Sequence, residues 1–287
     1  MKHGENRILA TEASVSREPD AFKQFELSGW EQSSEGYCQG FGPLTAQTVE
    51  TMLESLKVSK GCRLLDVATG PGYLAAGAQT LGAVTTGIDF SEAMLTLARR
   101  TAPGTRFILG DAERLPFPDT CFDAVGMNFG ILHLGRPQQA IAEAARVLVP
   151  GGWFAFSVWD PPERALGFEV ALGAIQRFGS PAVVLPDGPP FFYFSDRQNA
   201  SQALASVGFA SIEITELPLT WNLPDAEALF QAFVQGTART GGLLRAQPAP
   251  NLSAIREAMI AEARARFRNG SGLATPMPAV IYAARKV

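Results

Sequence analysis

The 287 residues are 46% hydrophobic and 18% charged, with 28 Gly and 20 Pro, the balance of a globular chain rather than of a disordered, collagen-like or coiled-coil one. At roughly 100–200 residues per domain, the length corresponds to one large domain or to one domain with a substantial subdomain. The formal charge of −4, from 24 Lys+Arg against 28 Asp+Glu, supplies no electrostatic footprint for a phosphate backbone or an anionic membrane, so neither nucleic acid nor a bilayer is the expected partner. Cys38, Cys62 and Cys121 stand far apart without a C-x-x-C pair, and the chain has only two His to complete a zinc site; neither a disulfide scaffold nor a metal is expected. Residues 1–20 are charged and polar and lack the apolar run of a signal peptide, and no stretch approaches about 18 uninterrupted apolar residues. A cytoplasmic address is expected, with His3 in a mobile tail.

In chain order, residues 1–58 precede the first strand and are expected to form a helical lid segment. From 59 to 160 short β-rich runs alternate with helical patterns, which argues for a parallel sheet with helices on both faces. Strands are expected at 63–67, 84–88, 105–109, 122–128 and 153–159, each short, apolar and bounded by Gly, Pro or Asp. One helix follows Gly72, one opens at Ser91 as N-cap, and one runs from Pro137 to Leu148, where Pro150-Gly151-Gly152 is expected to stop it. Residues 161–194, rich in Gly, Pro and Phe and without a clear strand, look like an insertion. Residues 195–287 return to the sheet: Ser195-Asp196-Arg197-Gln198 has capping-box spacing, a helix to about Val207 follows, and strands are expected at 211–217 and 279–285. Between these two strands lies a helical insertion at about 221–275. Its helices are expected at 225–239 and 251–268, the second with Leu252, Ile255, Met259, Ala263 and Phe267 on one stripe and a solvated Arg/Glu face.

Three strand ends carry the chemistry. Leu64-Leu65-Asp66-Val67-Ala68-Thr69-Gly70-Pro71-Gly72 takes a buried strand into a glycine turn, where backbone without a Cβ allows close approach and the next helix offers unpaired N–H groups. Asp89, at the end of Gly87-Ile88-Asp89-Phe90, is positioned to accept both hydroxyls of a ribose. Gly110-Asp111-Ala112-Glu113 ends a third strand in another carboxylate. In open parallel sheets ligands lie outside the carboxyl ends of the strands, so the three ends point at one crevice.

On these residues, together with Phe90-Ser91-Glu92-Ala93-Met94, Arg114-Leu115-Pro116-Phe117 and Arg146-Val147-Leu148-Val149-Pro150-Gly151-Gly152, the chain resembles the class I S-adenosylmethionine-dependent methyltransferases. It is most similar to the small-molecule group of ubiquinone and menaquinone biosynthesis methyltransferases, over about residues 63–157. The resemblance implies an α/β fold: a Rossmann-like, seven-stranded, mostly parallel sheet with helices on both faces, plus a helical and loop lid. It implies S-adenosyl-L-methionine as cofactor, with Asp66, Gly70 and Gly72 around its methionine part, Asp89 on the ribose, Asp111 and Ala112 beside the adenine, and Asn128 near the sulfonium. Ala68, Thr69, Phe90, Met94 and Phe129 complete the implied cofactor set. Ala68 stands where the family often has Gly.

Methyl transfer is an in-line displacement in which positioning supplies much of the rate, so a catalytic side chain is optional. His133, just past the fourth strand, is the candidate base, or else an orienting or packing residue. Trp30, Tyr37 and Phe41 before the first strand, Trp159, and Phe191, Phe192 and Tyr193 at the end of the insertion are the candidate acceptor walls. With Trp221 they imply a small, largely apolar or aromatic acceptor. Two alternatives stand beside this one. Gly70-Pro71-Gly72-Tyr73-Leu74-Ala75 also fits G-x-G-x-x-G/A, with Asp89 at the distance of an NAD ribose partner, as in an NAD-dependent oxidoreductase. A protein of the same fold that binds the sulfonium without transferring its methyl is the other.

Overall fold

The computed structural model describes residues 19–287, so His3 and the first part of the 1–58 segment lie outside the described residues. The described chain opens with α1 (Pro19–Gln39), α2 (Gly42–Thr45) and α3 (Val49–Ser55). The alternating part runs β1 (Arg63–Val67), α4 (Tyr73–Thr80), β2 (Val84–Asp89), α5 (Glu92–Thr101), β3 (Arg106–Leu109), β4 (Phe122–Met127), α6 (Pro137–Val147) and β5 (Leu148–Trp159). After it come α7 (Leu166–Phe178), α8 (Arg197–Ala205), β6 (Phe209–Leu217), β7 (Thr220–Leu223), α9 (Ala226–Gly236), α10 (Arg239–Arg245) and α11 (Ala249–Phe267). The last elements are β8 (Arg268–Asn269), β9 (Gly272–Pro276) and β10 (Ala279–Lys286).

Seven strands form one sheet in the order β3-β2-β1-β4-β5-β10-β6. The pairs from β3 across to β5 are parallel, and β10 runs antiparallel between β5 and β6. Parallel strands are covered on both faces, which is why Leu64, Leu65, Val67, Val125 and Phe154 form near-continuous apolar runs in the sequence and are all buried. The chain steps outward from β1 to β3 and then crosses to the other side of β1 for β4. That reversal puts a topological switch point between β1 and β4, and the loops after the first four strands share the edge above it.

Local chemistry sets the helix starts. Ser91 caps α5 by accepting the Met94 N–H at 3.2 Å, and Pro137 opens α6, where its missing N–H costs nothing. Three expectations are corrected. The cap of α8 is Asp196, whose Oδ1 accepts from the N–H groups of Gln198 and Asn199, while the Ser195 hydroxyl donates to the carbonyl of Trp159. Pro150-Gly151-Gly152 lies inside β5 as an irregularity between the Phe122–Leu148 and Ala124–Trp153 pairs, with Gly151 at φ 81°. The helix expected at 225–239 breaks at Thr237, whose hydroxyl donates to the Phe233 carbonyl and accepts the Gly241 N–H. The Arg/Glu face of α11 is exposed as expected, and Arg256 and Arg266 make surface ion pairs from it to Glu227 and Glu169. In addition, the 161–194 stretch contains the helix α7, and the 221–275 stretch carries a three-stranded sheet, β7-β9-β8, beside its helices.

Candidate functional site

The loop after β1 is held by two buried carboxylates. Asp66 Oδ2 accepts the Thr69 hydroxyl at 2.6 Å and the Ala75 N–H at 3.1 Å. Ala75 lies in the first turn of α4, where N–H groups lack intrahelical partners, so this carboxylate closes the glycine turn and caps the helix from the neighbouring strand. Burial pushes its carboxyl up to about 7, against the pull of both hydrogen bonds. Asp89, at the end of β2, accepts the Gly70 N–H at 2.8 Å on one oxygen and the Ser91 N–H at 3.0 Å on the other. Burial raises this carboxyl to about 6.

The glycines divide between two tasks. Gly70 has φ 52°, lines the cavity, and would place a Cβ within 4 Å of no protein atom. Gly72, at φ 82°, faces away from the cavity; a Cβ there would lie 3.1 Å from Cα and Cβ of Ala98, so it is the seat of α5. Ala68 is also left-handed, with φ 50°, a conformation that costs a residue with a Cβ about 1–2 kcal/mol. Its methyl occupies the space that Gly130 leaves free: a Cβ on Gly130 would lie 2.5 Å from the Ala68 Cβ.

Asp111, past the end of β3, accepts the Glu113 N–H at 2.9 Å and is paired with Lys23 of α1, which also reaches Glu113. Asn128, just past β4, spends its amide on structure. Its Oδ1 accepts the hydroxyls of Thr48 and Ser157 at 2.8 and 2.6 Å, and its Nδ2 donates to the Thr45 carbonyl. Phe129 follows at φ 58° and stacks on Trp159 with ring centroids 4.2 Å apart. The 3-10 turn Gly130–His133 then brings His133 to the wall.

These strand ends open into one cavity of about 1220 Å³, including space open to solvent. Of the residues expected around the cofactor, Ala68, Thr69, Gly70, Asp89, Phe90 and Met94 line it, as do Asp111, Ala112, Asn128 and Phe129. Asp66 and Gly72 do not; they support the loop from behind. The far side is aromatic, with Trp30, Tyr37, Phe41, Trp159 and Phe191 from the expected set and Phe168 of α7 in addition. Trp30 meets His133 edge-on with centroids 4.8 Å apart. Tyr37 shares a 2.7 Å hydrogen bond with Thr45, and burial holds its phenol well above the ordinary range. The other expected walls do not line the cavity: Phe192 packs on Phe168 and Phe191, Tyr193 is 37% exposed, and Trp221 is buried behind Phe41 with its N–H on the Gly40 carbonyl.

Sequence reasoning missed Lys23, Glu26 and Arg239. Glu26 has no solvent exposure; it accepts from Arg239 Nε at 2.5 Å and lies 3.0 Å from His133 Nδ1. Its signal was present, since Phe22, Glu26, Trp30 and Ser33 follow a helical stripe in which an acidic residue interrupts the buried face. Arg239 enters only because α9 breaks at Thr237.

The family of methyltransferase domains matches this chain over residues 65–156. The demethylmenaquinone methyltransferase of Renibacterium salmoninarum is 30% identical over 175 residues, covering 58% of this chain and 74% of that protein. The ubiquinone/menaquinone biosynthesis C-methyltransferase UbiE of Geobacter sulfurreducens is 33% identical over 177 residues, covering 55% and 68%. Among solved structures, the YcgJ protein from Bacillus subtilis has the same fold, with a TM-score of 0.55 at 20% identity over 84% of this chain and 98% of that one.

Proposed function

Because the chain belongs to the S-adenosylmethionine-dependent methyltransferase family that includes the demethylmenaquinone methyltransferases, we propose that it methylates a small, largely apolar aromatic acceptor of the phenol or hydroquinone type, seated between the aromatic walls. S-adenosylmethionine is the methyl donor; when bound it supplies a methyl carbon on a positively charged sulfur, an electrophile that needs chiefly an aligned nucleophile.

The residues present fit this donor. Gly70 offers backbone with open space above it, and Asp89 keeps a buried carboxylate at the cavity wall, suited to a pair of ribose hydroxyls. Phe90, Met94 and Ala112 form an apolar slot beside the carboxylate of Asp111, suited to a purine. The aromatic side chains exclude water from the far side and hold a flat acceptor. His133 stands at the junction of the two halves.

The observation that carries this proposal is continuity: a single cavity runs from Gly70 and Asp89 to Trp30, His133 and Phe191. Family membership sets aside the nicotinamide alternative, and the helix start agrees. A dinucleotide pyrophosphate needs the free N–H groups at the start of α4, and the Asp66 carboxylate already takes that of Ala75. Among the described residues no helix is long and apolar enough to cross a membrane.

The test is incubation with methyl-labelled S-adenosylmethionine and a panel of phenols and hydroquinones, with a basic peptide and an RNA as controls. Label is expected in the aromatic small molecules only. Phe191→Ala should raise the acceptor KM at least tenfold, since a buried ring contributes about 2–3 kcal/mol, with donor affinity unchanged. Label in the peptide or RNA, in no aromatic, or an unchanged acceptor KM would overturn the proposal.

A further inference from the structure

Glu26 of α1 is fully buried between two groups distant in sequence, His133 after β4 and Arg239 at the start of α10. A carboxylate removed from water persists only where donors compensate it. Arg239 is itself fixed in place, donating to the Leu132 carbonyl at 2.6 Å and the Pro189 carbonyl at 2.8 Å while its Nε occupies Glu26 Oε1. That leaves Oε2 for the imidazole. A carboxylate only accepts, so Nδ1 of His133 carries a proton toward Glu26, and in the neutral imidazole the lone pair is then on Nε2. His133 lines the cavity, and its Nε2 has no hydrogen-bond partner among the described residues. The ring is held edge-on by Trp30 on one side and by Phe191, 5.7 Å away, on the other.

Resting on the methyl-transfer proposal above, we infer that Glu26 is a positioning residue that fixes the Nδ1–H tautomer of His133 and so presents Nε2 to the acceptor as a base, which makes the acceptor a hydroxyl-bearing aromatic. The hydroxyl proton passes to Nε2, the electron pair it leaves on the acceptor forms the bond to the methyl carbon, and the pair of the broken carbon–sulfur bond stays on the sulfur. The imidazolium formed is paired with Glu26 and returns its proton to water. Three separate segments assemble this base: α1 supplies the carboxylate, the turn after β4 the imidazole, and α10 the guanidinium that orients the carboxylate.

The arrangement makes Glu26→Gln a sharp probe. Arg239 can only donate, so it claims the Gln carbonyl oxygen, and the Gln amide NH2 is left facing Nδ1. The tautomer should invert, with the proton moving to Nε2 and the base lost. The chain has two His, so ¹⁵N-histidine NMR of the full-length protein resolves His133, assigned by its loss in His133→Ala. Nδ1–H is expected in the wild type and Nε2–H in Glu26→Gln. With a hydroquinone acceptor, kcat should fall about a hundredfold or more, while donor Kd and acceptor KM stay within about threefold, a split that general loss of structure would not give. A wild-type Nε2–H tautomer, or a Glu26→Gln variant that keeps its tautomer or its kcat, would overturn the inference. If Glu26→Gln does not fold, His133→Ala, which leaves Glu26 paired with Arg239, decides it: retained kcat refutes a base at this position. If the wild type methylates no hydroxylated aromatic, it is the functional proposal that fails, and the tautomer measurement still judges Glu26.

Discussion

Asp89→Ala probes the joint between the glycine loop and the donor. The wild-type carboxylate is 5% exposed, holds the Gly70 and Ser91 N–H groups, and has its pKa raised by burial to about 6. A hydrogen bond to a charged acceptor contributes about 1.5–3 kcal/mol. Loss of even one ribose hydroxyl contact therefore lowers donor affinity at least about tenfold, and loss of both lowers it about 150-fold or more. The pH dependence has a definite sign. Hydroxyl donors favour the ionised carboxylate, so its pKa in the complex is lower than in the free protein, and binding releases a proton where the free carboxyl is still protonated. Affinity should be highest above about pH 6 and fall as pH drops below it, and this component should vanish in Asp89→Ala. Isothermal titration calorimetry with S-adenosylmethionine between pH 5 and 8, in buffers of different ionisation enthalpy, reads both quantities. Equal affinity in the variant, or wild-type affinity flat with pH across this range, would refute the assignment of Asp89 to the donor.

Asp66→Asn keeps an acceptor for Thr69 and Ala75 on its carbonyl oxygen while removing a buried charge whose folded pKa is raised from 3.8 to about 7. Ionising Asp66 thus lowers wild-type stability as pH rises from about 4 to 7, so the variant should gain up to about 4 kcal/mol at pH 8 and lose that advantage toward pH 4; urea unfolding showing the same difference at both pH values would contradict this. Gly70→Ala should cost about 1–2 kcal/mol of stability for its left-handed backbone and weaken donor binding at least tenfold, and calorimetry showing unchanged affinity would remove the loop from the donor site. Gly130→Ala drives a Cβ against that of Ala68 and should destabilise by about 1–3 kcal/mol. Adding Ala68→Gly should restore more than half of that loss, whereas strict additivity in the double-mutant cycle would show that the two positions do not compete for space.

The part of the fold that makes the crevice was legible because parallel strands announce themselves. β1 occupies 63–67 as expected, and the acidic and glycine residues that end β1, β2 and β3 mark the sheet edge where ligands bind. What a glycine faces was not legible. Gly70 and Gly72 read alike in sequence, yet one opens on the cavity and the other admits Ala98, a distinction set by where α5 lands. Phe191 and Phe192 are neighbours that both pack on Phe168, yet only Phe191 lines the cavity, a difference that residue type does not encode. The helix α7 was obscured by Pro161-Pro162 before it and by Gly167 and Gly173 within it, although Gly167, Val170, Ala171 and Ala174 keep a buried helical period. The break between α9 and α10 depends on one threonine hydroxyl in an otherwise continuous pattern. Without that break Arg239 would not reach Glu26, and the pairing of Glu26 with His133 is a contact across 107 positions that no local pattern encodes.

On the proposed function, donor and acceptor meet in one cavity, with the acceptor between the aromatic walls. A crystal structure with S-adenosylhomocysteine and a hydroquinone would show both ligands in place. The ribose is expected on Asp89, the sulfur turned toward the space between Trp30, His133 and Phe191, and the hydroquinone ring in that space with a hydroxyl on Nε2 of His133. A hydroquinone bound outside those walls, or a sulfur directed away from His133, would contradict it.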